Sequence, residues 1–113
     1  MDFSFTPLHR IRKRSEYLRL SRRGRRQESA YFIGVVQQTS LPAPRLGVTV
    51  TRKVGPAWMR NRIKRVVREY FRQNRHRLAR PHDVNVIAKR AAAGADNRLL
   101  SEDLEALLFG SRP

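Results

Sequence analysis

The chain has 113 residues and contains 25 Lys or Arg against 9 Asp or Glu, which gives a net charge of +16. This length allows one small domain spanning residues 1–113, and the lack of cysteine excludes disulfides and thiolate metal sites. Residues 1–7 have no signal-peptide core and no apolar run is long enough to span a membrane, so we expect a cytoplasmic protein with no membrane partner.

The first predicted elements are a short helix and two strands. Residues 15–21 are predicted to form a helix that Ser15 caps and that stops near Gly24. Aromatic and β-branched residues at 30–36 predict one strand, and the period-two alternation at 46–51 predicts another. We expect these two strands to pair as a hairpin through the Ser/Pro-containing loop between them.

The longest periodic segment, residues 56–75, predicts a helix with Pro56 at an early position. At about 100° per residue its apolar side chains share one side, which we expect to pack on the sheet: Met59, Ile63, Val66, Val67, Tyr70 and Phe71. The other side is a stripe of donors formed by Arg60, Asn61, Lys64, Arg65, Arg68, Arg72 and Arg75. Its one acid, Glu69, falls beside Arg65 at i+4. We expect Trp58 to be a packing residue.

The last predicted elements follow this helix. Alternation at residues 83–88 predicts a third strand, and the Ala-rich run at 91–95 predicts a flexible loop. A final amphipathic helix is expected to begin at Ser101 as its N-cap. Glu102 and Asp103 would then lie in its first turn, where they suit the helix dipole.

The stripe on the 56–75 helix indicates a polyanionic partner. Like charges four residues apart, such as Arg60 and Lys64, weaken a helix by roughly a few tenths of a kcal/mol each, so phosphates opposite the stripe would explain it. Of the 25 bases, 21 are Arg, whose planar fork matches phosphate and stacks on bases; this favours nucleic acid over a lipid surface. A GC-rich genome explains the Arg-to-Lys ratio equally well, but not the total charge.

Protein catalysis is not predicted. The one acidic cluster, Glu102, Asp103 and Glu105, is explained by helix capping rather than by metal binding. The three histidines have no ligand spacing, and no nucleophile elbow or phosphate-binding loop is present. We therefore assign no catalytic residue and no metal ligand to the chain.

Aromatic residues provide a second means of binding nucleic acid, since unpaired bases stack on exposed rings. Tyr17, Tyr31 and Phe32 are the candidates. Because neighbouring residues in a strand face opposite sides, one of Tyr31 and Phe32 should enter the core and the other should line a groove. Tyr17 is open to either interpretation, as a core residue or as a stacking platform.

The run from Leu46 to Phe71 closely resembles the bacterial ribonuclease P protein component. The arginine-rich signature of that family falls on Arg60, Asn61, Arg62, Lys64, Arg65 and Arg68. A weaker resemblance includes Glu16 and Tyr17, the aromatic strand and residues 86–90. One departure is that family members often have a second aromatic about four residues beyond the position of Tyr17, and residues 18–21 contain none.

The resemblance implies an α+β fold: a two-layer sandwich with a mixed sheet of about four strands, three helices and a left-handed βαβ crossover at the signature helix. The usual crossover is right-handed, so this hand comes from the family alone. Three strands are evident in the sequence. The fourth would have to come from splitting the segment around residues 29–39 or from a short edge segment.

The resemblance also implies a role as the protein subunit of ribonuclease P, an RNA endonuclease that removes the 5′ leader from precursor tRNA. The RNA subunit would perform the chemistry with magnesium, the protein would bind no cofactor, and its partners would be that RNA and precursor tRNA, without an obligate protein partner. The implied RNA-binding residues are Arg52, Lys53, Arg60, Asn61, Arg62, Lys64, Arg65, Arg68 and Arg72. The implied leader cleft contains Tyr17, Tyr31, Phe32, Lys89 and Arg90.

Two other functions remain to be weighed. A ribosomal or nucleic-acid-packaging protein would have a similar composition, but it has no reason to reproduce the signature between Arg60 and Phe71. A nuclease that acts without RNA would need clustered carboxylates, which the sequence does not provide.

Overall fold

A computed structural model describes residues 10–78 and 82–110. Its helices are α1 (Arg14–Arg23), α2 (Ala57–Asn74) and α3 (Asn97–Phe109), and its strands are β1 (Arg25–Glu28), β2 (Phe32–Gln38), β3 (Arg45–Thr49) and β4 (His82–Ala88). Short 3-10 helices follow α2 at Arg75–Arg77 and β4 at Arg90–Gly94. Within the described residues, none of the helices combines the length and the apolar character that a membrane crossing requires.

The four strands form one mixed sheet in the order β1-β2-β4-β3. Strand β2 is antiparallel to both β1 and β4, whereas β3 is parallel to β4. The predicted hairpin between the second and third strands of the chain is therefore wrong, because β4 lies between them. Val86 shows this directly, since it is opposite Gly34 of β2 and opposite Val48 of β3. Strand β4 is buried over most of its length, as befits a central strand.

Strand β1 is the fourth strand, and the sequence did not locate it. Its residues, Arg25–Glu28, include three charged side chains and no apolar one, so they lack the alternation that marks a half-buried strand. As an edge strand it pairs on one side only. Charge on such an edge discourages pairing with another chain.

The two faces of the sheet are covered differently. On one face, Phe32 of β2 and Val84 and Val86 of β4 pack in one cluster with α2 and α3 residues. On the other face, Val35 packs with Leu20 of α1 and the preceding Ile11. Helix α2 joins the parallel strands β3 and β4, so it is the helix of the βαβ unit. The left hand of that crossover stays a prediction.

The α2 helix buries Ile63, Val67 and Phe71 and half-buries Met59, Val66 and Tyr70, which confirms the apolar side expected from the period. Helix α1 is longer than predicted and begins after Lys13 rather than at Ser15.

The last part of the chain differs from expectation in two ways. Helix α3 begins after Asp96, whose side chain accepts a hydrogen bond from the backbone N of Leu99 at 2.8 Å, so Ser101 lies inside the helix and is not its cap. The predicted flexible loop at 91–95 is mostly a 3-10 helix, because Ala92 and Ala95 are buried against the core.

A network of charges joins α1 to the sheet. Arg45 of β3 donates to both carboxylate oxygens of the buried Asp83 of β4, at 2.9 and 2.7 Å, and to Glu16 of α1 at 2.8 Å. The hydrogen bond to Asp83 is the main cause that raises the pKa of Arg45, and the bond from Arg45 holds the pKa of Glu16 below its usual value. These contacts fix the position of α1 against β3 and β4.

Replacing Arg45 by Ala should cost about 3–5 kcal/mol of unfolding free energy, because the change leaves the Asp83 carboxylate buried without its main partner. Arg19 is 3.8 Å from Asp83 and half exposed, which is too loose to replace it. Urea denaturation measures the loss. The matched control is Arg98→Ala, which breaks an exposed ion pair with Glu102 and should cost only about 0–1 kcal/mol. Equal losses in both variants would contradict the role given to Arg45.

Candidate nucleic-acid interface

The predicted stripe on α2 is present as a surface of cations. We use the name α2 ladder for Asn61, Lys64, Arg65, Arg68 and Arg72. All five side chains are exposed or half-buried, and they alternate with the buried residues of the same helix. No carboxylate in the described ranges forms an ion pair with Lys64, Arg65 or Arg68. Three of the cations therefore face solvent uncompensated.

Apart from Glu69, the acids of the described residues are engaged elsewhere. Glu16 and Asp83 bind Arg45, Glu28 binds Lys89, Glu102 binds Arg98 and Glu105 binds Arg77. Asp96 caps α3, and Asp103 accepts from Ser29 Oγ and from the backbone N of Ala30 and Tyr31. As a result, the positive charge of the α2 ladder is opposed at only one point, by Glu69.

Glu69 accepts hydrogen bonds from Arg72 and Gln73 and forms its ion pair with Arg72 at i+3. The sequence placed this acid beside Arg65 at i+4, so the observed partner lies further along the helix. The bond from Arg72 is the main cause that lowers the pKa of Glu69. Arg72 is thus the one partly neutralised member of the α2 ladder.

Two residues of the predicted set also hold the fold together. Arg60 Nε donates to the carbonyl oxygen of Gly55 at 3.1 Å, which ties the first turns of α2 to the preceding segment. Arg62 donates to Asn97 Oδ1 at 2.8 Å and to the carbonyl oxygen of Ala95 at 3.1 Å, which ties α2 to the start of α3. Sequence periodicity could not reveal the bonds of Arg62, because Asn97 and Ala95 lie 35 and 33 residues further along the chain.

Arg52 and Lys53 are exposed in the turn between β3 and α2. A hydrogen bond of 3.0 Å from the backbone N of Val54 to the carbonyl oxygen of Thr51 closes this turn. The two side chains extend the cationic surface toward the start of α2.

The sequence left Tyr17 open as a core residue or as a stacking platform, and the structure shows features of both: the side chain makes a structural contact and the ring is half-exposed. Its hydroxyl donates to the carbonyl oxygen of Ile11 at 3.1 Å, and its ring lies over Gly47 of β3. Burial raises the pKa of Tyr17, while the positive charge of Arg68 acts in the opposite direction. Tyr17 is therefore both a packing residue and a partly accessible ring beside β3.

The register of the sheet defines that face. One row crosses all four strands through Glu28, Ile33, Ile87 and Thr49, and the next row crosses them through Arg26, Val35, Asn85 and Gly47. Leu20 and Tyr17 of α1 pack over the second row, whereas Ile33 and Thr49 of the first row are only half-buried. We call the first row, together with Tyr17, Lys89 and Arg90 beside it, the α1-side cleft. Sequence reasoning missed its floor, because the floor is defined by a register that includes the unrecognised strand β1.

Phe32 cannot line the α1-side cleft. Its ring is fully buried on the opposite face, in the cluster with α2 and α3. Tyr31 lies in the turn before β2 and packs against the same cluster as Phe32, so the expected alternation between these two residues does not occur. The structure therefore removes Phe32 from the predicted cleft and leaves Tyr31 at the edge of the core.

Lys89 and Arg90 follow the end of β4, next to the first row. Lys89 Nζ binds the carboxylate of Glu28 and the carbonyl oxygen of Ser29, the latter at 2.7 Å. The bond from Lys89 is the main cause that lowers the pKa of Glu28. Arg90 is exposed and, across the two described ranges, forms no ion pair. The two cations lie at one end of the α1-side cleft.

Trp58 is 66% exposed at the start of α2, so the prediction that it is a packing residue is wrong. The indole is not part of the core cluster, although the next residue, Met59, packs against it. Residues 10–78 and 82–110 hold no group of three His, Cys, Asp or Glu side chains that could bind a metal ion.

Comparison with known proteins gives consistent results. A family model described as Ribonuclease P matches residues 5–110. The ribonuclease P protein component of Desulfatibacillum aliphaticivorans is 53% identical over 106 residues, which cover 94% of this chain and 90% of that protein. The ribonuclease P protein component of Thermotoga maritima is 35% identical over 109 residues, covering 96% of this chain and 86% of that protein.

Solved structures agree with these sequence matches. The RNase P protein from Thermotoga maritima superposes with a TM-score of 0.81 and 30% identity, covering 92% of this chain and 98% of that one. The RNase P protein of Staphylococcus aureus superposes with a TM-score of 0.81 and 29% identity, covering 88% of this chain and 92% of that one. The fold, and not only the signature, is thus shared.

The position of Tyr17 can be tested through the glycine beneath it. A Cβ atom at residue 47 would lie 2.6 Å from Cε1 of Tyr17, so Gly47→Ala should displace the ring and cost about 1–3 kcal/mol of unfolding free energy. The matched control is Gly94→Ala, since nothing lies within 4 Å of its Cβ position; it should change stability by less than about 0.5 kcal/mol. In a Tyr17→Ala background the cost of Gly47→Ala should shrink. Additive effects of the two changes in urea denaturation would refute the contact.

Proposed function

The chain belongs to the family of bacterial ribonuclease P protein components, and we propose from this premise how its two cationic surfaces divide the work. As a member of that family it is the protein subunit of ribonuclease P, an endonucleolytic complex that processes the 5′ leader of tRNA, and it works with the ribonuclease P RNA. The generic nucleic-acid-packaging protein considered from composition alone is not favoured.

The α2 ladder is proposed to bind the ribonuclease P RNA, with Arg52, Lys53, Arg60 and Arg62 beside it. The observation that supports this assignment is the set of uncompensated cations Lys64, Arg65 and Arg68 on a helix whose other side is buried. Phosphates opposite them would relieve their mutual repulsion and release counterions, which is the main source of affinity between basic proteins and nucleic acids. Arg also matches phosphate geometry with two donors at once.

The α1-side cleft is proposed to hold the single-stranded 5′ leader of precursor tRNA. Its floor is a row in which Ile33, Ile87 and Thr49 are half-buried and Glu28 is exposed. Tyr17 lies at the β3 side, and Lys89 and Arg90 lie at the end of β4. Apolar surface and rings suit unpaired bases, and the cations suit the phosphates that join them. Tyr31, at the edge of the core, and the buried Phe32 have no part in this proposal.

The protein is proposed to act by binding, while the RNA subunit performs the hydrolysis with magnesium. The described acids are engaged in ion pairs and caps, so we assign the magnesium to RNA phosphates rather than to the protein. Cations at the junction of the two RNAs would lower the repulsion between catalytic RNA and substrate. This would raise substrate affinity and favour the binding of magnesium near the cleavage site.

The triple variant Lys64→Ala/Arg65→Ala/Arg68→Ala tests the RNA-binding role of the α2 ladder. It removes three uncompensated cations and no ion pair, so the protein should remain folded. We expect cleavage of precursor tRNA by the cognate RNA subunit at low magnesium to fall sharply. The slope of log affinity against log salt should become shallower by roughly 2–3, because each lost phosphate contact removes about 0.7–0.9 from it.

The matched control for this experiment is Arg98→Ala, which removes an exposed cation on α3. It should leave both cleavage and the salt dependence close to those of the wild type. A triple variant that cleaves and binds like the wild type would refute the assignment of the α2 ladder. If the wild-type protein itself did not stimulate cleavage, the role that follows from the family would be refuted.

Arg90→Ala tests the leader cleft separately. Arg90 is exposed, so its loss should not affect folding. We expect weaker binding of precursor tRNA that has a leader, and unchanged binding of mature tRNA, in complexes with the RNA subunit, because only the leader would pass along the α1-side cleft. Kd values for the two substrates provide the comparison. An equal loss of affinity for both substrates would indicate that Arg90 contacts the tRNA body or the RNA subunit instead.

A further inference from the structure

We propose that Trp58 is a stacking platform for an unpaired base of the ribonuclease P RNA, so that α2 holds this RNA by an aromatic contact as well as by phosphate contacts. The inference rests on the proposed function of the α2 ladder. It adds a specific contact to a surface otherwise understood through charge.

Trp58 differs from every Phe and Tyr ring that the structure describes. It is 66% exposed, whereas Phe32 and Phe71 are buried and the rings of Tyr17, Tyr31, Tyr70 and Phe109 are half-buried. A single exposed apolar residue is ordinary on a protein surface. The location of this one on the cationic side of α2, rather than its exposure alone, indicates a ligand.

Helix geometry places Trp58 in line with Arg65. Seven residues separate them, which corresponds to roughly 20° around the helix and roughly 10 Å along its axis. Asn61 and Arg62, three and four residues after Trp58, flank the same strip, and the first turn of α2 contains no acid. An unpaired nucleotide could therefore place its base on the indole while a neighbouring phosphate of the same strand reaches Arg65.

The charge around Trp58 favours RNA over a protein partner. The nearest ionised groups on its strip, Arg62 and Arg65, are cations, and the whole chain has a net charge of +16. A second copy of the chain would bring the same positive charge to the contact and be repelled. A nucleic-acid base offers a flat π surface together with the phosphates that this environment needs.

The position of Trp58 favours the ribonuclease P RNA over the substrate leader. The buried side of α2 packs on the sheet face opposite to the one that α1 covers. Trp58 is turned by roughly 140° around the helix from the buried Ile63 and roughly 180° from the buried Val67, so it points away from the sheet. The indole therefore faces away from the cleft proposed for the leader and toward the surface proposed for the RNA subunit.

The chain contains a single Trp, so its fluorescence reports this contact alone. Titrating the wild-type protein with the RNA subunit of ribonuclease P from its own bacterium should quench the emission, because a stacked base interacts with the excited indole. Mature tRNA without a leader serves as a polyanion of similar chemistry and should leave the emission nearly unchanged. Equal quenching by both would overturn the assignment to the RNA subunit.

Three substitutions separate stacking from general apolar contact. Trp58→Ala should weaken binding of the RNA subunit by about 5- to 150-fold, the range expected for the loss of one base–aromatic stack. Trp58→Phe should retain most of the affinity, and Trp58→Leu should resemble Trp58→Ala because it keeps apolar area without a ring. The salt slope should be the same in all three, unlike that of the α2 ladder triple variant.

Two controls test whether a loss of RNA affinity in Trp58→Ala comes from the missing ring rather than from lost apolar surface or from unfolding. Leu41→Ala removes an exposed apolar side chain in the loop after β2 and should bind RNA like the wild type. Trp58→Ala should also unfold at the same urea concentration as the wild type, since the indole is mostly exposed. Wild-type affinity in Trp58→Ala, or restored affinity in Trp58→Leu, would overturn the proposal.

Self-association is the competing use of an exposed indole. Sedimentation that reveals a wild-type dimer, abolished by Trp58→Ala with RNA affinity unchanged, would overturn the proposal in favour of a protein contact. These outcomes are distinct from failure of the proposed function. If the α2 ladder triple variant loses RNA binding and Trp58→Ala does not, only the stacking contact is wrong.

Discussion

The buried contact between Arg45 and Asp83 is the interaction on which the geometry of the α1-side cleft depends. It joins the two parallel strands at one end, and the third donor of the same guanidinium holds Glu16 of α1. Burying the Asp83 carboxylate would be costly without a partner that satisfies both of its oxygens, and Arg meets this need with its planar fork. The position of α1 follows from this contact, and the position of Tyr17 over Gly47 follows from α1. The surface that we propose to bind the leader is thus anchored by a buried ion pair.

Helix α2 has two roles that act against each other. Its buried side, with Ile63, Val67 and Phe71, contributes to the main core, and hydrophobic burial there holds the helix in place. Its cationic side weakens the same helix, because like charges at i,i+4 repel each other. The core therefore supports a charged surface that an isolated helix would maintain poorly. The connection from β3 to β4 explains the arrangement, since a parallel pair needs a crossover helix that packs on one face and leaves the other side exposed.

The parts of the structure that could be predicted are those with a local signal. The α2 helix has a clear 3.6-residue period, and β4 alternates strongly, so both were located within one or two residues. Strand β1 could not be found because its charged sequence lacks alternation, and the hairpin was wrong because proximity in sequence does not reveal that β4 enters between β2 and β3. The same limit applies to the site. The α2 ladder follows from the helical period. The burial of Phe32 and the exposure of Trp58 depend instead on which face of the sheet and which residues of α2 pack in the core.

The distribution of acids explains how a chain with a net charge of +16 can maintain a defined fold. Three of the acids, Glu16, Asp83 and Glu105, hold Arg45 or Arg77 at positions where helices meet each other or the sheet. Opposite charge is therefore used at structural junctions, and the remaining cations are left on surfaces that an RNA can cover. Charge alone would bind any polyanion, and strongly so at low salt. Selectivity for one RNA requires contacts whose positions are fixed by the fold, and a ring at the start of a well-anchored helix meets that requirement because its place is set by the same core that positions the cations.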